Sequence, residues 1–276
     1  MASLQQLRKR LRSIRSTGQI ADAMRTGATA KFAKLSRTRL AFSPYADACG
    51  EMLAQLGAVG IRRSVPEAKK RNAFLILSGD RGFCGGFHAE LLRFAEAELA
   101  AEPDALLLVS GKKAQSRCRE LGLAFEPVTV SDVPTFAEAR AICERLRTLY
   151  ETGEAENIYL IYQHYQNMLT QTPTRLQLLP AGEENESGAA EALLLPDRET
   201  VGEQLAVFCM ENRLYRLLLE HSSGAQASTQ TAMRAASDNA AESAAKLELF
   251  INRRRQAEVT AGVIETSSGL FAEKEH

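Results

Sequence analysis

The side chains best suited to chemistry crowd into one stretch, SGDRGFCGGFH, Ser78 to His88. An apolar run, Ala73–Leu77, leads into it and a helical pattern, Phe87–Ala101, leads away. Strand, glycine turn and helix together make a phosphate cradle, because backbone N–H groups and a helix N-terminus attract anions. The glycine order does not suit that use. A dinucleotide site needs G-x-G-x-x-G and a P-loop needs Gly-Lys-Ser/Thr; here the order is G-D-R-G-F-C-G-G, and Gly86 is followed by Phe87. Cys84 and His88 stand four residues apart, a spacing that suits a nucleophile and its base, but Gly85 and Gly86 intervene and no third group orients the pair. The stretch therefore reads as a structural turn on Gly82, Gly85 and Gly86, with a buried thiol beside a surface histidine. His164, His221 and His276 are isolated in the sequence, so no zinc ligand set is expected, and no cofactor.

A second set of chemical groups is cationic. INRRRQAEVT, Ile251 to Thr260, packs three arginines and a glutamine into an otherwise apolar seam. Arginines there are expensive unless a partner supplies acceptors. Residues 1–40 hold ten basic side chains, from Arg8 to Arg39, against one acid, Asp22. Over the whole chain Lys+Arg and Asp+Glu are both 34, so no global field draws nucleic acid. A local basic helix still suits nucleic acid, an anionic membrane or an acidic protein surface. The five cysteines are scattered with no CxxC pair, which points to reduced thiols in a cytosolic compartment. No apolar run approaches the roughly 20 residues of a bilayer span and no signal-peptide pattern opens the chain, so a soluble or peripheral protein is expected.

Three zones must position these groups. Residues 3–57 nearly lack helix breakers, and Ser3 with Gln6 makes a capping box. Leu4, Leu7, Leu11 and Ile14 follow a 3-4-3 spacing; after a slip near Gly18, Ile20, Met24, Ala28, Phe32 and Leu35 continue the stripe. Pro44 is expected to kink or interrupt this helix, whose residues would span about 80 Å at 1.5 Å each. From about 70 to 195, apolar runs (Ala73–Leu77, Ala105–Val109, Ile158–Tyr162) alternate with helical patterns (Phe87–Ala101, Lys112–Leu121, Phe136–Tyr150), the signature of a parallel α/β sheet. Thr174–Leu179 adds a last strand, and Ala181–Ala190 reads as an exposed acidic loop. Residues 197–267 return to unbroken helix, in which Met233, Ala236, Ala240, Ser243, Leu247, Phe250 and Arg254 make a coiled-coil seam at strict 3-4 spacing. The expected fold is α plus α/β, a long antiparallel coiled coil of N- and C-terminal helices (1–60 and 197–276) with an inserted Rossmann-like α/β domain (70–195).

Taken together, the motifs resemble the gamma subunit of F-type ATP synthases over nearly the whole chain. SLQQLRKRLRSIRSTGQIADAM (Ser3–Met24) is similar to the family's basic opening helix. SGDRGFCGGFH resembles S-D-R-G-L-C-G-G-L-N, with Gly79 as an extra or replacing residue and His88 in place of asparagine. LTQTPTRLQLLP (Leu169–Pro180) resembles T-Q-T-P-x-x-x-x-L-L-P. MRAASDNA (Met233–Ala240) and NRRRQAEVT (Asn252–Thr260) resemble M-K-A-A-T-D-N-A and N-R-x-R-Q-A-x-I-T. Gly27, Gly262 and Leu270 depart from the family pattern, and Gly27 in mid-helix costs about 1 kcal/mol relative to alanine.

The resemblance implies a non-catalytic rotor shaft that couples ion-driven rotation of the membrane c-ring to ATP synthesis or hydrolysis in the alpha and beta subunits. It implies contact with the epsilon subunit and a peripheral place on the cytoplasmic face of the plasma membrane, without nucleic acid. Met24, Arg25, Arg255 and Gln256 match positions near the beta-subunit catch loop; Met233, Asp238 and Asn239 belong to the shaft. Two other readings stand beside it. One is a coiled-coil scaffold docking on an anionic membrane or nucleic acid, and the other a small-molecule enzyme using the α/β domain.

Overall fold

A computed structural model describes residues 3–55, 61, 71–180 and 197–272; the acidic loop expected at Ala181–Ala190 lies outside the described residues. Among the described residues the elements in chain order are α1 (Leu4–Gln55), β1 (Ala73–Ile76), α2 (Phe87–Ala100), β2 (Leu106–Ser110), α3 (Lys112–Glu120), β3 (Glu126–Val128), α4 (Phe136–Glu151), β4 (Ile158–Tyr165), β5 (Gln171–Leu179) and α5 (Arg198–Ala272). Chain contacts group them into two compact units. One holds residues 28–231 and the other residues 1–27 with 232–276, so both long helices divide between units.

The larger unit is built on a five-stranded sheet of order β3-β2-β1-β4-β5. β1 lies parallel to β2 and β4, and β2 parallel to β3. The last strand, β5, whose direction the sequence left open, runs antiparallel to β4, because the short turn between them cannot make the crossover that a parallel neighbour needs. β3 escapes sequence reading, since three residues with Pro127 at their centre carry no pattern; proline is tolerated because this is an edge strand. All four residues of β1 are buried, as a central strand covered on both faces requires. Phe74, Ile76, Leu107, Val109 and Ile161 pack under Leu91 and Ala95 of α2 and Ala114 and Cys118 of α3. On the opposite face Leu75, Leu77, Leu108, Leu160 and Leu178 meet Ile142, Leu146 and Leu149 of α4, and Leu214, Leu217 and Leu218 of α5. Thr135 caps α4 with a full capping box through Glu138.

α1 runs through Pro44 without a break. Aromatic packing on both sides of the proline holds the helix line where a backbone hydrogen bond is missing. The Phe42 ring meets Tyr215 edge-on at 4.9 Å, and Tyr45 meets Phe208 at 6.0 Å. Arg216 bonds Asp47 at 2.8 Å. α5 is buried almost all round from Leu217 to Ser223, the mark of a helix packed on several sides.

In the smaller unit the first part of α1 packs antiparallel on the last part of α5. Leu7 and Leu11 cluster with Ala244 and Ile251, and Arg15 bonds Glu248 at 2.7 Å. The capping box at the start of α1 is present: Ser3 N–H donates to Gln6 Oε1 at 2.9 Å, and Gln6 N–H donates to Ser3 Oγ at 3.2 Å. Two details of the seam differ from expectation. α1 has no slip. A steady 3-4 step from Leu4 lands on Leu7, Leu11, Ile14, Gly18, Ala21, Arg25, Ala28, Phe32 and Leu35, and every one of these positions is buried or half-buried. Gly18 belongs to the stripe and Ile20, 60% exposed, does not. On α5 the seam runs Met233, Ser237, Ala240, Ala244, Leu247, Ile251 and Arg254, with Ala236 half-buried at its margin; Ser243 is exposed, and so is Phe250 at 52%. The expected and observed stripes share every seventh residue and differ by one position between. A large aromatic at 250 draws a sequence reading one position off the true face.

Candidate functional site

The glycine stretch sits at the C-terminal edge of the sheet where β1 lies between β2 and β4. In a doubly wound sheet this is the switch point, the crevice where ligands bind. Here the chain's own side chains fill it. The Gln163 amide Nε2 donates to the Phe87 carbonyl at 2.8 Å, and the Gln163 backbone N–H donates to His221 Nδ1 at 3.2 Å. The Phe87 ring stands 5.2 Å from both the His88 and His221 rings. A β-carbon at Gly224 of α5 would meet the Phe87 ring at 3.1 Å, and Ser228, one turn on, donates its Oγ–H to the Cys84 carbonyl at 2.7 Å. The turn is a socket for α5.

A neighbouring helix N-terminus at this edge, that of α3, is occupied by an anion from the chain itself. Lys112 N–H, at the start of α3, donates to Asp80 Oδ1 at 2.9 Å. A carboxylate from the stretch itself supplies the anion that a helix N-terminus favours. Gly111 has φ of +83° and no room for a β-carbon, which would stand 2.3 Å from the Ser78 carbonyl oxygen.

His88 is not at the surface. It is buried, 8% exposed, with Nδ1 3.5 Å from Ser78 Oγ, and loss of hydration, aided by the Lys113 cation, pushes its pKa down to about 4. His221 is pushed down to about 3 by burial and by His88. Burial raises the Cys84 thiol, His88 and Lys113 notwithstanding. A thiol held protonated beside a weakly basic imidazole is poor nucleophilic equipment. The three turn glycines divide by role: Gly85 adopts φ of +57°, while Gly86 caps α2 with ordinary helical dihedrals, and a β-carbon at Gly82 would meet nothing within 4 Å. A cleft of about 440 Å³ opens at the opposite edge of the sheet. Two arginines in its wall are already engaged, Arg71 with Glu154 and Arg145 with Glu126.

The four residues expected near one partner loop are not brought together. Antiparallel pairing sets Gly18 opposite Ala240, so Arg25, two turns along α1, lies level with Met233. Arg255 lies level with the start of α1. The separation along the seam is about 33 Å at 1.5 Å per residue. Arg25 occupies a seam position, and its Nε and Nη2 bond Asp22 Oδ1 at 3.0 and 2.7 Å. Met24 is half-buried beside it. Of the three consecutive arginines only Arg254 enters the seam, paired with Glu258 at 3.4 Å. Arg253, Arg255 and Gln256 are exposed, so the burial cost expected from the sequence does not arise. Met233 is buried in the seam, whereas Asp238 and Asn239 face outward. Among the described residues no helix is long and apolar enough to cross a membrane.

A half-Rossmann body whose crevice grips α5, on a chain that also builds a two-helix seam, has the architecture expected from the sequence motifs. The profile of the family described as ATP synthase matches residues 3–272. The ATP synthase gamma chains of Desulfitobacterium hafniense, Heliobacterium modesticaldum and Rubrobacter xylanophilus are each 32% identical to this chain, over 99% of it and 99% of their own length. The chain belongs to the ATP synthase gamma chain family. Its fold is that of solved mitochondrial assemblies. A chain of the Euglena gracilis ATP synthase OSCP/F1/c-ring matches with TM-score 0.72 at 16% identity, over 98% of this chain and 94% of that one. A chain of the Tetrahymena thermophila central stalk and c-ring matches with TM-score 0.62 at 21% identity, over 79% and 99%.

Proposed function

We propose that this chain is the central shaft of an F-type ATP synthase, coupling ion-driven rotation of a membrane ring to ATP synthesis or hydrolysis in an alpha/beta head. Its own role is mechanical and not catalytic. The two-helix seam resists bending and twisting better than one helix, and its uneven outer face presents each surrounding subunit with a different surface at a given angle. The observation that carries this reading is the exposure of Arg253, Arg255 and Gln256, which flank the seam where Leu247 and Ile251 close it. No ion partner for Arg253 or Arg255 stands among the described residues. Guanidinium groups so displayed suit carboxylates on an enclosing partner, where charge-assisted hydrogen bonds are strongest.

In this reading Arg255 and Gln256 make one contact with the head and Met24 with Arg25 a second, separate one, Arg25 exchanging Asp22 for a partner carboxylate. The α/β body meets the membrane ring and the epsilon subunit, peripheral to the membrane at its cytoplasmic face.

The test is affinity purification of the tagged chain from gently solubilised membranes, with mass spectrometry of what accompanies it. Alpha and beta subunits in excess over this chain are the expected result. Recovery of neither, from membranes with an intact ATPase, overturns the reading and turns attention to vesicle and DNA binding by the basic residues of α1.

A further inference from the structure

We propose that Cys49 and Cys209 form a redox-responsive thiol pair whose oxidation staples the end of α1 to α5. Cys209 Sγ lies 3.1 Å from the carbonyl oxygen of Cys49, and Asn212 Nδ2, one turn along α5 on the same face, lies 3.7 Å from Cys49 Sγ. The two thiols therefore occupy adjacent positions of one helix–helix seam, where Phe42–Tyr215 and Tyr45–Phe208 fix the register. Disulfides bridge α-carbons about 4.4–6.8 Å apart, and the contact of Cys209 Sγ with the Cys49 backbone brings the two residues into that neighbourhood. The other three thiols are buried elsewhere: Cys84 in the glycine turn, Cys118 on α3 and Cys143 on α4.

The chemistry uses a low-molecular-weight disulfide, RSSR, as oxidant. Half-buried Cys209 attacks first as thiolate, breaking the S–S bond of RSSR and expelling one thiol. Cys49, 1% exposed, then attacks Cys209 Sγ, expelling the second. Two protein thiols and RSSR become one protein disulfide and two RSH; the protein is oxidised by two electrons and its two protons end on the released thiols. Burial raises both cysteines, Cys209 to about 11 with a contribution from Cys49. The thiolate fraction is small at neutral pH and grows about tenfold per pH unit, so the pair is slow and responds to sustained oxidation. The staple closes a loop between residues 160 apart in sequence.

The experiment treats the full-length chain with glutathione disulfide at mildly alkaline pH, then maps peptides without reduction. The expected result is a Cys49–Cys209 linked peptide, a thiol count lower by two, a Tm higher by about 5 °C or more and slower amide exchange at the end of α1. Reductant reverses all four, and Cys118→Ser leaves them intact. A stable glutathione adduct on Cys209 alone overturns the proposal, as does a full thiol count under conditions that oxidise the unfolded chain. Because the linked peptide is read in the unsubstituted protein, the outcome does not depend on whether any variant folds.

Discussion

A β-carbon built on Gly18 would stand 3.2 Å from the β-carbon of Ala240. That contact is tighter than ordinary packing, and it marks a close approach of the two helices of the smaller unit through small residues. Gly18→Ala sets a gain in helix propensity of about 1 kcal/mol against the tight contact, so the net change stays within about 1 kcal/mol of zero. Gly18→Leu forces the helices apart and destabilises by roughly 1–3 kcal/mol. Urea titration of the full chain reads both, and a Gly18→Leu midpoint equal to wild type contradicts the close approach.

Gly79 and His88 stand at opposite ends of the glycine stretch, and the structure joins them. A β-carbon on Gly79 would fall 2.6 Å from His88 Nε2. Gly79→Ala alone is expected to destabilise by about 1–3 kcal/mol. With His88→Asn, which withdraws the ring, much of that loss returns. A double-mutant cycle measures the coupling; additive losses contradict a shared packing solution.

Acid should weaken the larger unit early. Above pH 6.5 His88 and His221 are neutral both folded and unfolded, so they add no pH dependence. Below it the unfolded chain takes up protons that the fold refuses until about pH 4 for His88 and about pH 3 for His221. Stability therefore falls as pH drops through that window, by about 3 kcal/mol for His88 alone. His88→Asn should make the curve about half as steep between pH 6.5 and about 4, leaving the His221 contribution, as read by urea midpoints across pH. An unchanged slope contradicts the buried neutral ring.

The roughly 33 Å between Arg25 and Arg255 makes their roles separable. In the assembled ATPase, Arg255→Ala with Gln256→Ala is expected to lower ATP-driven rotation or proton pumping several-fold, by removing charge-assisted bonds worth about 1.5–3 kcal/mol each. Arg25→Ala also breaks the bond to Asp22, so its effect includes local helix stability. Additive effects of the two changes support two independent contacts; strong non-additivity supports one shared site.

Much of this architecture is legible in the residues. The 3-4 step from Leu4 to Ile14, the Ser3–Gln6 box and the β1 and β2 runs state their own structure, because periodicity and caps are local. Face and depth are less legible. Phe250 looks like a seam residue until Ala244 and Ile251 prove to be the buried ones, and His88 looks exposed until Gly79 is seen making room for it. The same holds for Asp80, whose role as cap of α3 depends on a turn bringing residue 80 to residue 112. The sequence motifs place the four expected contact residues in one group, and only the antiparallel register separates them.

The bond between Arg15 and Glu248 joins residues 233 apart, and this fixes a schedule for synthesis. The first half of α1 leaves the ribosome before any of its seam partners exist. At about 5–20 residues per second, its leucines and arginines wait on the order of ten to fifty seconds for α5. The sheet from β1 to β5 is complete in that interval apart from the cover that α5 gives it. The chain is thus born with its first helix unpaired and its body half-roofed, and one late helix finishes both.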